Sequence, residues 1–131
     1  MIEFHLDRRS GVPTYLQLVQ QVRQAVRLGI LGPGDQLPTV KEVVGSLAIN
    51  PNTVLKAYRE LDHEGLTEGR RGQGTFVASS APAVPPDGIR PVRAGLQRWL
   101  AQARAAGLDD EEIDALVAET VRTGSSKRRA A

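Results

Sequence analysis

Asn50, Asn52, Thr53 and Lys56 crowd the first turns of the segment Asn50-Pro-Asn-Thr-Val-Leu-Lys-Ala-Tyr-Arg-Glu-Leu61. A side-chain amide can pair bidentately with the edge of adenine, and a lysine can reach guanine. The unpaired N–H groups of a helix's first turn also favour a phosphate. A few residues on, Arg70-Arg-Gly-Gln-Gly-Thr-Phe-Val77 sets Arg70, Arg71 and Gln73 around Gly72 and Gly74. The glycines permit a tight turn, and the arginines suit phosphates or a minor groove. This is chemistry for holding and reading a nucleic acid. Nothing resembles a nucleophile beside a base, so an enzyme is not expected. His5 and His63 have no partner at metal-ligand spacing, so neither metal nor cofactor is expected. The glycine-rich stretch also looks like a phosphate-cradling loop, but no Gly-Lys-Ser/Thr follows and no helix opens after it. A hairpin tip is the reading it supports.

The elements that must carry these residues follow from local patterns. A first helix is expected from Pro13 to about Leu31, with Tyr15, Leu18, Val19, Val22, Val26 and Ile30 along its apolar stripe. Thr39 and Glu42 form a capping box for a short second helix, 39–48, whose Val40, Val43, Val44 and Leu47 face inward. Lys41 in its first turn has the charge to clamp a phosphate backbone. Gly45 inside that helix is either a close-packing position or a weak one. Asn50 as N-cap and Pro51 at the first helical position start the third helix, and Gly65 stops it. Val54, Ala57, Tyr58 and Leu61 share one face, while Asn52, Lys56, Arg59 and His63 share the other. Leu66–Glu68 and Thr75–Ala78 are short strands joined by the basic tip at 69–74. Two helices joined by a tight turn and followed by a basic hairpin make a winged helix-turn-helix.

Composition limits the alternatives. The chain has 131 residues, no cysteine and a formal net charge of +2. Residues 1–78 hold nine Lys/Arg against eight Asp/Glu, so charge placement rather than total charge must carry any affinity. With two Phe, two Tyr and one Trp, stacking on single-stranded bases is disfavoured. No apolar run approaches the roughly 20 residues of a membrane span, and the opening residues are acidic too early for a secretory signal. A cytoplasmic protein is expected.

The expected organisation is a DNA-binding domain at 1–78, a Pro/Ala/Ser linker at 79–90, a helical segment at 91–123 and a disordered tail at 124–131. The fold class is mainly α with a small β-hairpin. In the helical segment Val92, Leu96, Trp99, Leu100 and Ala103 form one stripe, and Ile113, Leu116, Val117 and Val121 another. Two short amphipathic helices cannot enclose a core. Leu96, Trp99, Leu100, Leu116 and Val117 are therefore expected to pack on the winged domain, on a second copy, or on both.

Pro13-Thr-Tyr-Leu-Gln17, Leu31-Gly-Pro-Gly-Asp-Gln-Leu-Pro38, Asn50-Pro-Asn-Thr-Val54 with Ala57-Tyr58, and Arg70–Val77 together resemble the GntR family of bacterial transcription regulators. The short C-terminal part is similar to its YtrA-like subgroup, in which about two helices follow the DNA-binding domain. The resemblance implies a homodimeric transcription regulator, of repressor type, on an inverted-repeat operator in double-stranded DNA. It implies that the C-terminal helices pair with a twin. It places Lys41, Asn50, Asn52, Thr53, Lys56 and the tip Arg70, Arg71, Gly72, Gln73 and Gly74 at the DNA. Many members carry Arg where Lys41 stands; lysine lacks the planar fork of arginine, so a phosphate contact is expected there. A polar helix face of this kind would also suit a module that binds an acidic protein. Steep loss of duplex binding with salt and preference for one palindrome separate the two.

Overall fold

The structure, a computed structural model, describes residues 2–81 and 86–130; residue 1, residues 82–85, part of the expected linker, and residue 131 lie outside it. The chain divides into two compact units, Met1–Ile89 and Arg90–Ala131. The first holds α1 (Thr14–Arg27), α2 (Val40–Leu47), α3 (Pro51–His63) and the antiparallel pair β1 (Thr67–Arg70) and β2 (Gly74–Val77). No described helix is long and apolar enough to cross a membrane.

The α1 stripe buries Leu18, Val19, Val22 and Val26 completely or nearly so, while Tyr15 is half-buried. Pro13 is the N-cap rather than the first helical residue. The helix ends at Arg27, earlier than the spacing predicts. Gly29 takes φ 75°, and the amides of Ile30 and Leu31 both donate to the Ala25 carbonyl, at 2.8 and 3.0 Å. That turn swings Leu31 into the core at 2% exposure and leaves Ile30 outside at 46%. Ile30 therefore does not belong to the buried stripe.

The capping box of α2 is present: the Glu42 amide donates to Thr39 Oγ1 at 3.1 Å and the Thr39 amide to Glu42 Oε1 at 3.3 Å. Val43 is buried, with Val40, Val44 and Leu47 packed against the same core. A Cβ added at Gly45 would meet nothing within 4 Å, so this glycine is a weak helical residue and not a packing one.

The third helix is the centre of the domain, packed on α1, α2 and β1. Val54, Ala57, Tyr58 and Leu61 are its buried face. The Tyr58 hydroxyl donates to the Pro38 carbonyl at 2.5 Å, tying α3 to the entry of α2. Burial, with the Glu42 carboxylate adding to it, holds that phenol well above its ordinary range.

In the hairpin Thr67 faces Val77 and Arg70 faces Gly74. The strands reach closer to the tip than the pattern of residue types suggests, leaving Arg71-Gly72-Gln73 as the turn. The segment around Gln36 lies along the other side of β2. Gln36 bridges to Phe76, the Leu37 amide donates to Thr75 O, and the Val77 amide donates to Asp35 O, both at 2.8 Å.

The second unit holds α4 (Pro86–Ala105) from Arg90 onward, and α5 (Asp110–Ala130). Helix α4 starts inside the stretch expected to be linker. Pro86 suits a first helical position and Asp87 complements the dipole there, although Pro91 within the helix cannot donate to the carbonyl one turn back. Helix α5 runs through 124–130, the stretch expected as a disordered tail; Lys, Arg and Ala at 127–130 are good helix formers. Its start is fixed reciprocally, the Asp109 amide donating to Glu112 Oε1 at 2.9 Å and the Glu112 amide to Asp109 Oδ1 at 2.8 Å. Ala103 and Ile113 are buried, whereas Val92, Leu96 and Val121 are 59–65% exposed and Leu116 and Val117 about 40%.

Candidate nucleic-acid interface

Asn50 lies at the N-cap of α3 with an extended backbone, and its Oδ1 accepts from the Asn52 amide at 2.8 Å. Its amide nitrogen is the part left to face a ligand. Asn52 and Lys56 then point outward, one helical turn apart, with Arg59 and His63 continuing the exposed face. Thr53 is half-buried at the rim.

Asn50, Asn52, Thr53 and Lys56 line a shallow cleft of about 400 Å³ whose opposite wall is the start of α1, with Thr14 and Tyr15. The Lys56 ammonium lies over the Tyr15 ring, 4.0 Å from its centroid. Two helix N-termini thus open on one cleft, and neither α1 nor α3 has an acidic residue in its first turn. Their positive dipole ends and Lys56 favour an anion there. The first turn of α2, by contrast, carries Glu42.

The structure brings Asn50, Asn52, Thr53 and Lys56 together. It does not bring Lys41 into that cleft; Lys41 is exposed in the first turn of α2. The residues Arg70–Gly74 form a separate site at the wing. Within it the two arginines differ. The Arg70 guanidinium lies 4.1 Å over the Phe76 ring and pairs with Glu68 at 3.1 Å, so it is braced along the strand. Arg71 is exposed in the turn, which the Gln73 amide closes by donating to Arg70 O at 2.9 Å. Gly72 takes φ 74° at the third position of that turn, as a type II turn requires.

Three participants escape a reading of residue types. Thr14 and Tyr15 enter only because α1 packs beside α3. Gln36 enters because its side-chain nitrogen donates to Gln73 O at 3.1 Å, bracing the wing tip from the neighbouring segment. That nitrogen lies 2.8 Å from where a Cβ on Gly74 would stand. A φ of 122° there, which side chains rarely adopt, and this close approach account for Gly74 without any ligand. Among the described residues, no group of three or more His, Cys, Asp or Glu side chains is placed to hold a metal ion.

The profile of the family described as "Bacterial regulatory proteins, gntR family" matches residues 14–77, from the start of α1 to the end of β2. Over 115 residues the chain is 36% identical to the HTH-type transcriptional repressor YtrA of Bacillus subtilis (strain 168), covering 87% of this chain and 88% of that protein. Among solved structures, YtrA from Sulfolobus acidocaldarius, a GntR-family transcription factor, is similar with a TM-score of 0.54 at 28% identity, over 92% of this chain and 97% of that one. AraR(DBD) in complex with operator ORE1 is similar with a TM-score of 0.50 at 27% identity, over 60% of this chain and 95% of that one. The first two are named as transcription regulators, the third is solved on an operator, and none is named as an enzyme. Sequence, fold and the helix-plus-wing arrangement agree: the chain belongs to the GntR family of bacterial regulatory proteins and is a DNA-binding transcription regulator.

Proposed function

We propose that the protein is a repressor acting in the bacterial cytoplasm, binding an inverted-repeat operator in double-stranded DNA as a homodimer. The observation that carries this reading is the cleft where the starts of α1 and α3 meet around Lys56, Asn52, Thr53 and the Asn50 amide. The start of α3 enters the major groove, Asn52 and Lys56 read base edges, and Lys41 with the dipole ends of α1 and α3 hold phosphates. The wing, with Arg71 and Gln73 outermost, grips the backbone or the adjacent minor groove. Similarity to a protein named as a repressor, and to a DNA-binding domain solved on its operator, supports the direction of the effect and the kind of ligand.

The homodimer is supported by the second unit. Val92, Leu96, Leu116, Val117 and Val121 leave an apolar surface in water, and Trp99 and Leu100 are only half-covered. A second copy offers the same surface in return, as a two-fold interface demands. It would also repeat the recognition helix at the spacing of an inverted repeat.

Selection of bound sequences from a random duplex pool tests the reading. One palindromic motif should emerge, bound with a steep salt dependence, and Asn52→Ala should relax preference at defined positions by about 1–3 kcal/mol. Recovery of no motif, or a motif and affinity indifferent to both Asn52→Ala and Lys56→Ala, overturns it.

A further inference from the structure

The contact between Lys56 and Tyr15 concerns specificity. A lysine on an exposed helix face is a strongly hydrated charge on a flexible four-carbon stem, and it meets phosphates and bases alike. Lys56 is different. Its ammonium is held 4.0 Å from the Tyr15 centroid, where the negative face of the ring attracts it. Both residues line the same cleft, so the ring holds the charge at the cleft and not along the outer face of α3. Arg59, further along that face and exposed, makes no ion pair or ring contact among the described residues.

The ring is itself fixed. Tyr15 is the second residue of α1, its side chain is half-buried, and it packs against the core of the first unit. A second tie along the same two helices, between Arg23 and Glu64, lies eight residues further on in each. The face that receives Lys56 is therefore part of the rigid scaffold.

We propose that Tyr15 is a positioning residue for base discrimination. Its ring preorganises the Lys56 ammonium to meet one base edge, guanine being the chemistry that fits. The proposal rests on the DNA-reading function given above, but its first test does not use DNA. In the free protein the Lys56 ε-methylene protons lie above an aromatic face and should resonate upfield of an ordinary lysine. Tyr15→Phe should keep that shift and Tyr15→Leu should abolish it. An ordinary lysine resonance in the wild-type chain overturns the proposal.

The second test uses the duplex selected by the wild-type chain and its single-base variants. Lys56→Met identifies the base pair whose preference depends on the ammonium. At that pair Tyr15→Leu should lower discrimination about two- to fivefold, the factor a partly exposed cation–π contact supports. Tyr15→Phe should leave it intact, and Tyr15→Leu combined with Lys56→Met should discriminate no worse than Lys56→Met alone. Equal loss on every duplex, additive with Lys56→Met, overturns the proposal in favour of a backbone contact by Tyr15. Loss in Tyr15→Phe as large as in Tyr15→Leu overturns it in favour of the hydroxyl. If Tyr15→Leu unfolds, the Tyr15→Phe arm and the lysine resonance still decide. Should Lys56→Met change no preference while Asn52→Ala does, Tyr15 has no base reader to position, and the proposal fails with the wider DNA-reading function standing.

Discussion

Arg23 on α1 and Glu64, the residue that caps α3, share a two-point ion pair. Nε donates to Oε2 at 3.0 Å and Nη2 reaches Oε1. The pair spans 41 positions of sequence and joins the same two helices that meet at Tyr15 and Lys56. Both ties fall at the same offset along the two helices, so α1 and α3 run in the same sense in one register. A slip between them would pull Thr14 and Tyr15 away from Asn52 and Lys56. The ion pair thus helps to keep the two halves of the cleft opposed.

The pair makes stability depend on pH in a defined direction. The hydrogen bond from Arg23 holds the Glu64 carboxyl below its ordinary value of 4.5. A depressed acid contributes stability that is fully present above its unfolded value and is lost as pH falls through its folded one. With side chains 38% and 30% exposed, the pair contributes about 0.2–1 kcal/mol near neutrality. Glu64→Gln should be less stable than the wild type by that amount at about pH 7, and the gap should narrow at a pH well below the ordinary carboxylate range. Denaturant unfolding of both proteins at the two pH values checks this; a gap independent of pH would show that ionisation of Glu64 contributes nothing.

Ala48, between α2 and α3, takes φ 53° and ψ 45°, and among the described residues no other non-glycine has positive φ. The left-handed conformation costs an alanine about 1–2 kcal/mol. Glycine would remove that strain but lose more freedom on folding, about 0.5–1 kcal/mol. Ala48→Gly should therefore stabilise the domain by about 0.5–1 kcal/mol. The same duplexes should be bound with unchanged preference, because Ala48 lies outside the cleft. A lower unfolding midpoint would mean that the turn is not held as described.

Much of this architecture is local chemistry and can be read without the fold. Thr39 with Glu42, Asn50 with Pro51, and Asp109 with Glu112 announce helix starts because each satisfies amides within one turn. Helix ends are less legible. Ile30 continues the apolar spacing as well as any residue, and only the turn at Gly29 decides that Leu31 goes inward instead. The cleft was half legible. The polar residues of α3 stand together in sequence, but Tyr15 has the spacing of a core residue, and its second role exists only once α1 lies beside α3. Gln36 is invisible for the same reason, since its partner Gln73 is 37 positions away.

The wing separates two kinds of glycine. At Gly74, φ is 122° and an added Cβ would stand 2.8 Å from Gln36 Nε2, whereas the space around Gly72, at φ 74°, is open. Gly72→Ala should cost about 1–2 kcal/mol of backbone strain. Gly74→Ala should cost more, because it also displaces the Gln36 brace and loosens the tip. Arg71→Ala should leave stability unchanged while weakening specific and nonspecific duplexes alike and reducing the salt slope by about 1. Thermal unfolding and salt titrations of the three variants test the assignment. Equal costs at the two glycines would remove the role given to Gln36.

The second unit makes the strongest claim on assembly. Leu96 is 59% exposed and Val121 63%, so neither contributes much to the fold of a single chain, yet each large side chain taken from water is worth about 1.5–3 kcal/mol. A charge at such a position costs an isolated chain little and a packed interface a great deal. Leu96→Glu should therefore leave the circular dichroism and unfolding of the first unit unchanged, while converting a dimer to a monomer in sedimentation equilibrium. Duplexes carrying one half-site should be bound as by the wild type. The full inverted repeat should lose the gain that comes from two linked recognition helices, since the second half-site is then no longer bound within the same complex. A Leu96→Glu chain that sediments as a stable dimer would move the interface elsewhere, and one that binds the full repeat with undiminished affinity would separate dimerisation from operator recognition altogether.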